Sequence, residues 1–430
     1  MSKKTDKWIL EHQNDMVEDL QSLIKIRSLE AKGLKGKPFG KEVDKALQTA
    51  LAIGDKLEFS NRNLDGYCGI LDAGKGRQTM GILCHLDIVP EGDGWKYPPY
   101  AAEIHNGNIY GRGALDDKGP AIAAMYALKS VIESGYKFNK KVRIILGCNE
   151  ETGMKCVEYY SKHEKNPSFT ITPDGTFPLS NSEKNIMRVS YKKNFKSSVC
   201  MNVGDAPNIV PGKAVAVIGG TEYKTKGVQT HASLPETGKN AMQMMFKKLN
   251  GLKLAGTDGE VLKFFAENFG MEYNGQSLGL DITDASGRQT INFGMIRWNE
   301  KGFTVTLDLR CPASVPEKKI AETLDKTFAK IGAKRVDYEF SKGYNIPDDA
   351  PLVKTLMGVY RKRTGDKTSK PVKMGGGTYA RHLPNAVSFG PEGYMCGSEC
   401  HVANEYIGID QLIFNAQIIA DAIIALACEK

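Results

Sequence analysis

The chain has 430 residues, of which 41% are hydrophobic and 25% are charged. This length exceeds what one hydrophobic core usually supports and predicts two domains. The net charge of +8 comes from 58 basic and 50 acidic residues that are spread along the chain without a basic block, which argues against nucleic-acid binding.

Cysteine usage and hydropathy predict the compartment. The nine cysteines are odd in number and lie mostly in apolar stretches, which is typical of a reducing environment. The first 20 residues lack an apolar core of signal-peptide length. No uninterrupted apolar run reaches the roughly 18 residues of a membrane helix. We therefore expect a cytoplasmic protein without a membrane partner.

Up to about residue 183, helical and strand patterns alternate. In chain order they predict helices over 6–27 and 42–57, strands over 66–71 and 80–86, a hairpin over 102–110, a helix over 119–134, a strand over 142–147, a helix over 156–163 and a strand over 169–172. Pro120 in the first turn and Gly135 after the last mark the helix over 119–134. This alternation predicts an α/β fold with a doubly wound, mostly parallel sheet.

The pattern changes near Glu183 and returns after Tyr344. Period-two alternation predicts strands over 186–200, 214–218 and 303–309, and helices are predicted over 240–250, 316–331, 350–364 and 408–428. The middle part therefore reads as an α+β, ferredoxin-like domain of about four strands and two helices. The predicted organisation is a catalytic domain over 1–183 and 345–430, interrupted by an inserted domain over 184–344.

Acidic and imidazole residues lie at the ends of the predicted strands and before one helix. They are His85 and Asp87 after the strand over 80–86, Asp116 and Asp117 before the helix over 119–134, Glu150 and Glu151 after the strand over 142–147, and Asp174 after the strand over 169–172. Ligands of α/β sheets bind outside the carboxyl ends of the strands. Imidazole and carboxylate donors suit divalent zinc, manganese or cobalt. The sequence therefore predicts a metal site, with His401 of SECHVANEY as a second imidazole.

The chemistry suggests different roles for these residues. Asp87 is placed to accept the second ring N–H of His85 and so to brace it. Glu150 and Glu151 cannot both point to one spot on a strand, so one is expected to bind metal and the other to take a proton from water.

Each of these features has a structural alternative. A strand-end histidine is often structural, an Asp-Asp pair before a helix is often an N-cap, and adjacent glutamates often form a solvated edge. Taken together, these residues occur in the order in which a parallel sheet would gather them, and this favours a metal site over the structural alternatives. Two other motifs are weaker: GQSLG at 275–279 lacks the strand and helix of a nucleophile elbow, and Cys396 with Cys400 lacks the second pair of a thiolate site.

Five motifs together carry a family resemblance: HLDIVP, YGRGALDDKGP, NEETG, TPDGTFP and HVANE. The chain resembles the binuclear metallopeptidases that include carboxypeptidase G, aminoacylase, succinyl-diaminopimelate desuccinylase and the bacterial PepV-type dipeptidases. Within that family, APNIVPG, THASLPETGKNA, LDLRCP and GGGTYAR are similar to the PepV-type dipeptidases. The resemblance spans about residues 20–405.

The resemblance implies two divalent metal ions, with zinc as the first expectation and manganese or cobalt as alternatives. His85 and Asp174 would hold one ion, Glu151 and His401 the other, and Asp116 would bridge them. The Asp116–Asp117 peptide bond is expected to be cis. Glu150 would be the general base and Asp87 the brace of His85.

The resemblance also implies the substrate contacts. His231 would reach the oxyanion, and the substrate would be gripped by Arg310, Asn208 and the loop over 374–381, including Gly376, Gly377, Thr378 and Arg381. Without the resemblance, His231 reads as a surface loop histidine and Arg310 as a surface strand residue. The loop lacks the Lys and Ser/Thr spacing of a P-loop.

The expected function is that of a metal-dependent hydrolase, a dipeptidase that cleaves unsubstituted dipeptides by metal-activated water. The inserted domain would act as a lid. The alternatives are an N-acyl-amino-acid amidohydrolase, such as a deacylase or desuccinylase, and a non-catalytic binding protein of the same fold. The chain could be a monomer or a homodimer through the lid domain, because it is shorter than the longer dipeptidases of this type.

Overall fold

The computed structural model describes residues 2–429. The chain forms two compact units. Unit 1 comprises residues 2–181, Ile346–Val372 and 378–429, and unit 2 comprises Ser182–Asn345 and Lys373–Gly377.

The secondary structure follows in chain order. Up to Glu183 the elements are α1 (Lys3–Glu11), α2 (Gln13–Ile24), α3 (Lys41–Lys56), β1 (Ser60–Leu64), β2 (Cys68–Ala73), β3 (Thr79–His85), β4 (Ile104–His105), β5 (Asn108–Tyr110), α4 (Lys118–Glu133), β6 (Lys141–Gly147), α5 (Lys155–His163), β7 (Phe169–Thr172), β8 (Gly175–Thr176) and β9 (Ser180–Glu183). Up to Asn345 they are β10 (Asn185–Asn194), β11 (Val199–Val203), β12 (Ile209–Val210), β13 (Lys213–Ile218), β14 (Thr221–Lys226), β15 (Thr230–His231), α6 (Ala241–Asn250), α7 (Gly256–Asn268), β16 (Thr283–Asp284), β17 (Gly287–Arg288), β18 (Thr290–Asn299), β19 (Gly302–Cys311), α8 (Glu317–Ala329), β20 (Lys334–Ser341) and β21 (Tyr344–Asn345). The remainder consists of α9 (Pro351–Thr364), β22 (Val372–Met374), β23 (Ala386–Ser388), β24 (Pro391–Glu392), β25 (Tyr406–Gly408) and α10 (Ile409–Ala427), with short 3-10 helices at 235–237, 276–278 and 379–382.

The main sheet of unit 1 runs in the order β1-β2-β6-β3-β7-β23. The strands β6, β3, β7 and β23 are parallel, and β2 pairs antiparallel with both β6 and β1. Helices α3 and α5 pack on β2, and α4 packs on β3 and β6. The α/β class is thereby confirmed, and the central sheet is mixed, with a parallel set of strands at its middle. Because β3, β6 and β7 run the same way, their carboxyl ends share one edge of the sheet.

The N-terminal helix departs from the prediction of one element over 6–27. His12 ends α1 and precedes α2, with a φ of −108° that breaks the helical geometry. Its ring nitrogen Nδ1 lies 2.8 Å from the carbonyl oxygen of Trp8, one turn earlier. Apolar periodicity alone does not detect such an interruption, because the buried residues Ile9, Met16 and Leu20 keep a helical spacing across it.

Unit 2 is the α+β part of the chain. Its sheet runs β14-β13-β11-β18-β19-β10-β20 and its pairs are antiparallel, so seven strands extend the predicted ferredoxin-like set of four. Helix α7 was not predicted, since Gly256 and Gly259 weaken its helical pattern. Its Phe264 and Phe265 are nevertheless buried in the core of the unit. The predicted strand over 186–200 is two strands, β10 and β11.

Helix α10 is long and apolar enough to cross a membrane, with a mean hydropathy of 1.5. However, 61% of that segment is buried inside the structure, where the helix packs on α4, α9 and α1. Burial of this extent is what a core helix of a globular domain shows.

Candidate metal centre

The carboxyl ends of three parallel strands bring the predicted acidic and imidazole residues together in unit 1. His85 is the last residue of β3, Glu150 and Glu151 follow β6, and Asp174 follows β7. β3 and β6 are paired up to His85 and Gly147, so their ends are level. Asp116 comes from the segment before α4, and His401 from the loop before β25.

Two groups of three side chains can each surround one cation. They are His85, Asp116 and Asp174, and Asp116, Glu151 and His401, with the donor atoms of each group within 4.8 Å of one another. Asp116 belongs to both. Its Oδ1 lies 2.8 Å from Nε2 of His85, and its Oδ2 lies 2.9 Å from Nε2 of His401. One carboxylate thus presents one oxygen to each group, which is the geometry of a bridging ligand.

The outer members complete each group. Oδ2 of Asp174 lies 3.8 Å from Nε2 of His85. Oε1 of Glu151 lies 3.1 Å from Nε2 of His401. His85 is fully buried, whereas the His401 side chain is 53% exposed. The second group is therefore the one that is open to a ligand from solvent.

Asp87 has a different contact from the one expected. The ring nitrogen Nδ1 of His85 lies 3.0 Å from the backbone oxygen of Asp87, whereas the carboxylate Oδ1 is 3.6 Å away, beyond hydrogen-bond range. The carboxylate instead accepts the backbone N–H groups of Glu150 and Glu151, at 3.0 and 3.1 Å. Asp87 thus braces the imidazole through its main chain and the glutamate turn through its side chain.

The electrostatics show a concentration of negative charge. For the protein chain by itself, burial and then Asp174 raise the pKa of Glu150 well above its usual range. Burial and then Asp116 raise the pKa of Glu151, and the same two causes raise the pKa of Asp174 to about 8. Divalent cations would compensate this charge.

The two histidines respond in the opposite sense. Hydrogen bonding to Asp116 and then to Glu151 raises the pKa of His401 to about 11. Burial disfavours the charged form of His85, but its hydrogen bond to Asp116 raises the pKa well above the usual value. Each imidazole ring therefore lies beside a carboxylate, and a cation could lie between the two groups. Mixed nitrogen and oxygen donors in this arrangement fit divalent metal ions.

Two buried side chains that were not predicted from the sequence support the backbone of Asp116. Glu405 is fully buried, and its Oε1 accepts the backbone N–H groups of Leu115 and Asp116, at 3.0 and 3.2 Å. Its other oxygen accepts a hydrogen bond from Arg112, which is also buried. The sequence feature that could have identified Glu405 is its place in the HVANE motif, four residues after His401. The Asp116–Asp117 peptide bond is cis, as the resemblance implied.

The ring of Tyr379 packs beside His85. The two rings meet edge to face, with centroids 6.1 Å apart. The phenolic oxygen lies 2.7 Å from the sulfur of Cys156 on α5. A side chain at Gly147 would meet that oxygen at 2.2 Å, so only glycine fits at the end of β6. The TYAR segment thereby packs against the strand end that precedes Glu150.

The remaining predicted residues fall in two places. Asn208, His231, Arg310, Gly376 and Gly377 belong to unit 2, whereas Thr378 and Arg381 belong to unit 1. Their part in substrate binding stays a prediction. The hydroxyl of Thr378 accepts the N–H of Ala380 and lies 3.1 Å from the hydroxyl of Ser388, so it caps the 3-10 helix over 379–382.

Within unit 2, Asn208 and His231 are neighbours. β12 pairs with β15, and the carbonyl oxygen of Asn208 accepts the N–H of Ala232 at 2.8 Å. Arg310 lies on β19 and is buried, so it is not the surface strand residue of the alternative interpretation. Its Nε and Nη2 donate to Asp308 at 2.6 and 3.2 Å, and its Nη1 donates to the carbonyl oxygen of Gly375 at 3.1 Å.

The two weak motifs are structural. Gln276–Leu278 of GQSLG is a 3-10 helix in which Ser277 donates its backbone N–H to Glu272. The thiol of Cys400 donates to Glu392 at 3.2 Å. Neither Cys396 nor Cys400 belongs to a metal-binding group among residues 2–429.

Comparison with known proteins shows the family of this chain. The sequence model described as Peptidase family M20/M25/M40 matches residues 81–425. YtjP of Bacillus subtilis is 35% identical, over 97% of this chain and 98% of its own. The Beta-Ala-Xaa dipeptidase of Lactobacillus delbrueckii subsp. lactis is 32% identical, over 96% of each chain.

Solved structures share the fold. The dipeptidase Dug1p of Saccharomyces cerevisiae has a TM-score of 0.63 at 13% identity and covers 98% of each chain. The metallo-carboxypeptidase Sso-CP2 of Sulfolobus solfataricus also has a TM-score of 0.63, at 18% identity, and covers 95% of this chain and 98% of its own.

Proposed function

Because this chain belongs to peptidase family M20/M25/M40 and is a metal-dependent peptidase, we propose that it hydrolyses unsubstituted dipeptides at a centre of two divalent metal ions. The observation that carries the proposal is the position of Asp116 between His85 and His401, with one oxygen directed at each. The relatives that are named dipeptidases support the substrate class.

The residues have separate roles in this proposal. His85, Asp116 and Asp174 hold one ion, and Asp116, Glu151 and His401 hold the other. When bound, such a pair of ions polarises a carbonyl group and lowers the pKa of water. Zinc is the first candidate, and manganese and cobalt suit the same donors.

Glu150 is the proposed general base. It belongs to neither metal-binding group, yet Asp87 fixes its backbone beside both. Its carboxylate accepts a proton from the attacking water as the new C–O bond forms. The same carboxyl group then gives that proton to the nitrogen of the leaving amino acid as the C–N bond breaks.

Unit 2 contributes most of the proposed substrate contacts, and Thr378 and Arg381 of unit 1 contribute the rest. His231 donates a hydrogen bond to the carbonyl oxygen as it gains negative charge. Arg310, Asn208 and the loop over 374–381 with Gly376, Gly377, Thr378 and Arg381 bind the carboxylate end of the dipeptide. Since Arg310 already donates to Asp308 through Nε and Nη2 and to Gly375 through Nη1, one N–H on each terminal nitrogen remains for a substrate carboxylate. Unit 2 also serves as the lid, in a cytoplasmic monomer or a homodimer formed through this unit.

The test compares substrates that differ only at the amino end. Metal-replete protein is given Ala-Ala, β-Ala-Ala, N-acetyl-Ala and N-succinyl-Ala, and released alanine is measured. We expect release from the two dipeptides and none from the acylated compounds, with loss of activity in chelator and recovery on adding zinc, manganese or cobalt. Faster release from the acylated compounds would instead identify an N-acyl-amino-acid amidohydrolase.

A further inference from the structure

The histidine loop of unit 2, residues 230–237, holds the ring of His231 from one side. The hydroxyl oxygen of Ser233 lies 2.7 Å from Nδ1 of His231. The backbone N–H of Ser233 also donates to Nδ1, at 3.2 Å. Both contacts fall on the same ring nitrogen, and Nε2 has no hydrogen-bond partner among residues 2–429.

A backbone N–H can only donate, so the nitrogen that it faces must be an acceptor. In a neutral imidazole, the other nitrogen then carries the proton. We propose that Ser233 is a positioning residue that fixes His231 in the tautomer with its proton on Nε2. The group that His231 offers to a substrate is then a neutral N–H donor, and Nδ1 is unavailable as a base.

The loop itself is anchored, so this geometry is not an isolated contact. Ala232 is buried between the two residues; its N–H donates to the carbonyl of Asn208, and its carbonyl accepts from the hydroxyl of Thr290 at 3.3 Å. The carbonyl of His231 accepts the N–H of Leu234 at 3.0 Å. Residues on both sides of Ser233 are therefore fixed.

Gly375 lies against Ser233 on the other side. A Cβ at position 375 would come within 2.7 Å of the Cβ of Ser233. The carbonyl of Gly375 accepts from Arg310. Ser233 therefore lies between the His231 ring and the first glycine of the GGG stretch, and this contact requires that glycine to lack a side chain.

The charge around His231 favours the neutral ring. Partial burial and then the positive charge of Arg310 lower the pKa of His231. A neutral N–H donor is what an oxyanion site needs, because it stabilises negative charge that develops only in the transition state. This inference rests on the proposed function for its catalytic consequence, although the tautomer itself is a property of the free protein.

The tautomer is tested directly by NMR of the full chain labelled with 15N-histidine. The His231 signals are identified as those that disappear in His231→Gln. We expect Nδ1 at the shift of an unprotonated ring nitrogen and Nε2 at that of a protonated one. A protonated Nδ1 in the wild-type protein would overturn the proposal.

Kinetics test the consequence. Removing one neutral hydrogen bond in Ser233→Ala should lower kcat about three- to tenfold and leave KM within about twofold, since the bond acts in the transition state. Ser233→Thr should restore kcat. Thr237→Val is the matched control, because it deletes a hydroxyl pair with Thr230 in the same loop without touching the ring.

An unchanged kcat in Ser233→Ala, or an equal loss in Thr237→Val, would refute the role of the Ser233 hydroxyl. The backbone N–H of Ser233 remains in Ser233→Ala, so the tautomer itself is decided by the NMR measurement. The proposed dipeptidase function and the tautomer of His231 can fail independently of each other. If the wild-type protein shows the expected tautomer but cleaves no dipeptide, the dipeptidase proposal fails and the tautomer assignment stands.

Discussion

The metal centre of unit 1 and the histidine loop of unit 2 position their side chains in different ways. The metal-centre residues come from distant parts of the chain, at the ends of parallel strands and in loops, and buried charges fix their backbone, as Glu405 does for Asp116. The ring of His231 is exposed and is held by a residue two positions away. Long-range assembly therefore fixes the proposed metal ligands, whereas short-range contacts orient the proposed oxyanion donor.

The largest effect is expected where both metal-binding groups meet. Asp116→Asn removes the charge shared by the two groups, so we expect loss of both bound metals and of measurable hydrolysis. Metal content is measured by elemental analysis after dialysis, beside Asp15→Asn, an exposed control on α2. Full metal content in Asp116→Asn would show that this carboxylate is not the bridge.

The next largest effect separates catalysis from metal binding. Glu150→Gln and Glu150→Ala should keep both metals, because Glu150 belongs to neither group. Turnover should nevertheless fall by about 10²–10⁴, the usual contribution of a general base. Elemental analysis and initial rates are measured together, with Glu158→Gln on the exposed face of α5 as control. Substantial hydrolysis by metal-replete Glu150→Ala would exclude this role.

The proposed role of His231 of unit 2 as an oxyanion donor is tested by His231→Gln. Loss of one oxyanion donor typically costs about 10²–10³ in kcat. We expect that loss together with unchanged metal content and unchanged thermal stability, because the ring is exposed and outside unit 1. His163→Gln, an exposed histidine of α5, is the control. A fall in metal content would instead place His231 in the metal centre.

A smaller loss, in metal affinity, is expected when Glu405, which holds the backbone of Asp116, is changed. Glu405→Gln keeps the shape but weakens the contacts to the backbone of Asp116 and to Arg112. Residues that orient metal ligands typically contribute about 10–100-fold in metal affinity. Competition with a chromophoric chelator measures that affinity. Wild-type affinity in Glu405→Gln would indicate that the strand ends alone position Asp116.

The smallest effect is a pH dependence of stability. Burial and Asp116 raise the pKa of Asp174 to about 8, from 3.8. A carboxyl group with a raised folded-state pKa stabilises the fold below its unfolded pKa, and this stability is lost as pH rises through the folded value. The metal-stripped protein should therefore have a lower Tm at pH 8 than at pH 5.

Metal binding should reverse this trend. The ligands must be deprotonated to bind a cation, so the gain in Tm on adding metal should grow from pH 5 to pH 8. The low pKa of Asp116, caused by its hydrogen bonds from His401 and His85 despite burial, stabilises the fold above about pH 4 and loses this effect only as the pH falls below that value, so it adds no trend between pH 5 and pH 8. A Tm gain that is constant with pH would argue against these carboxylates as ligands.

The strand-end residues were predictable because each follows a strand or precedes a helix with a clear apolar pattern. A parallel sheet then brings His85, Glu151 and Asp174 to one edge. The bracing contacts were not predictable in the same way. Whether the carboxylate of Asp87 reaches His85 or the amides of Glu150 and Glu151 depends on differences of less than 1 Å.

Unit 2 was less predictable than unit 1. Its sheet is built from antiparallel pairs between distant segments, such as β10 with β19, and short strands such as β12 and β15 carry no periodicity. Helix α7 is stabilised by its buried phenylalanines despite a glycine-containing sequence. The pairing of Arg310 with Asp308 follows from two residues on the same face of β19, a spacing that the sequence did show.

The most direct test of the central claim is a crystal structure of the zinc-loaded protein with anomalous difference maps at the zinc edge. Two peaks are predicted, one among His85, Asp116 and Asp174 and the other among Asp116, Glu151 and His401. A single peak, or peaks that do not share Asp116, would contradict a centre built around a bridging carboxylate.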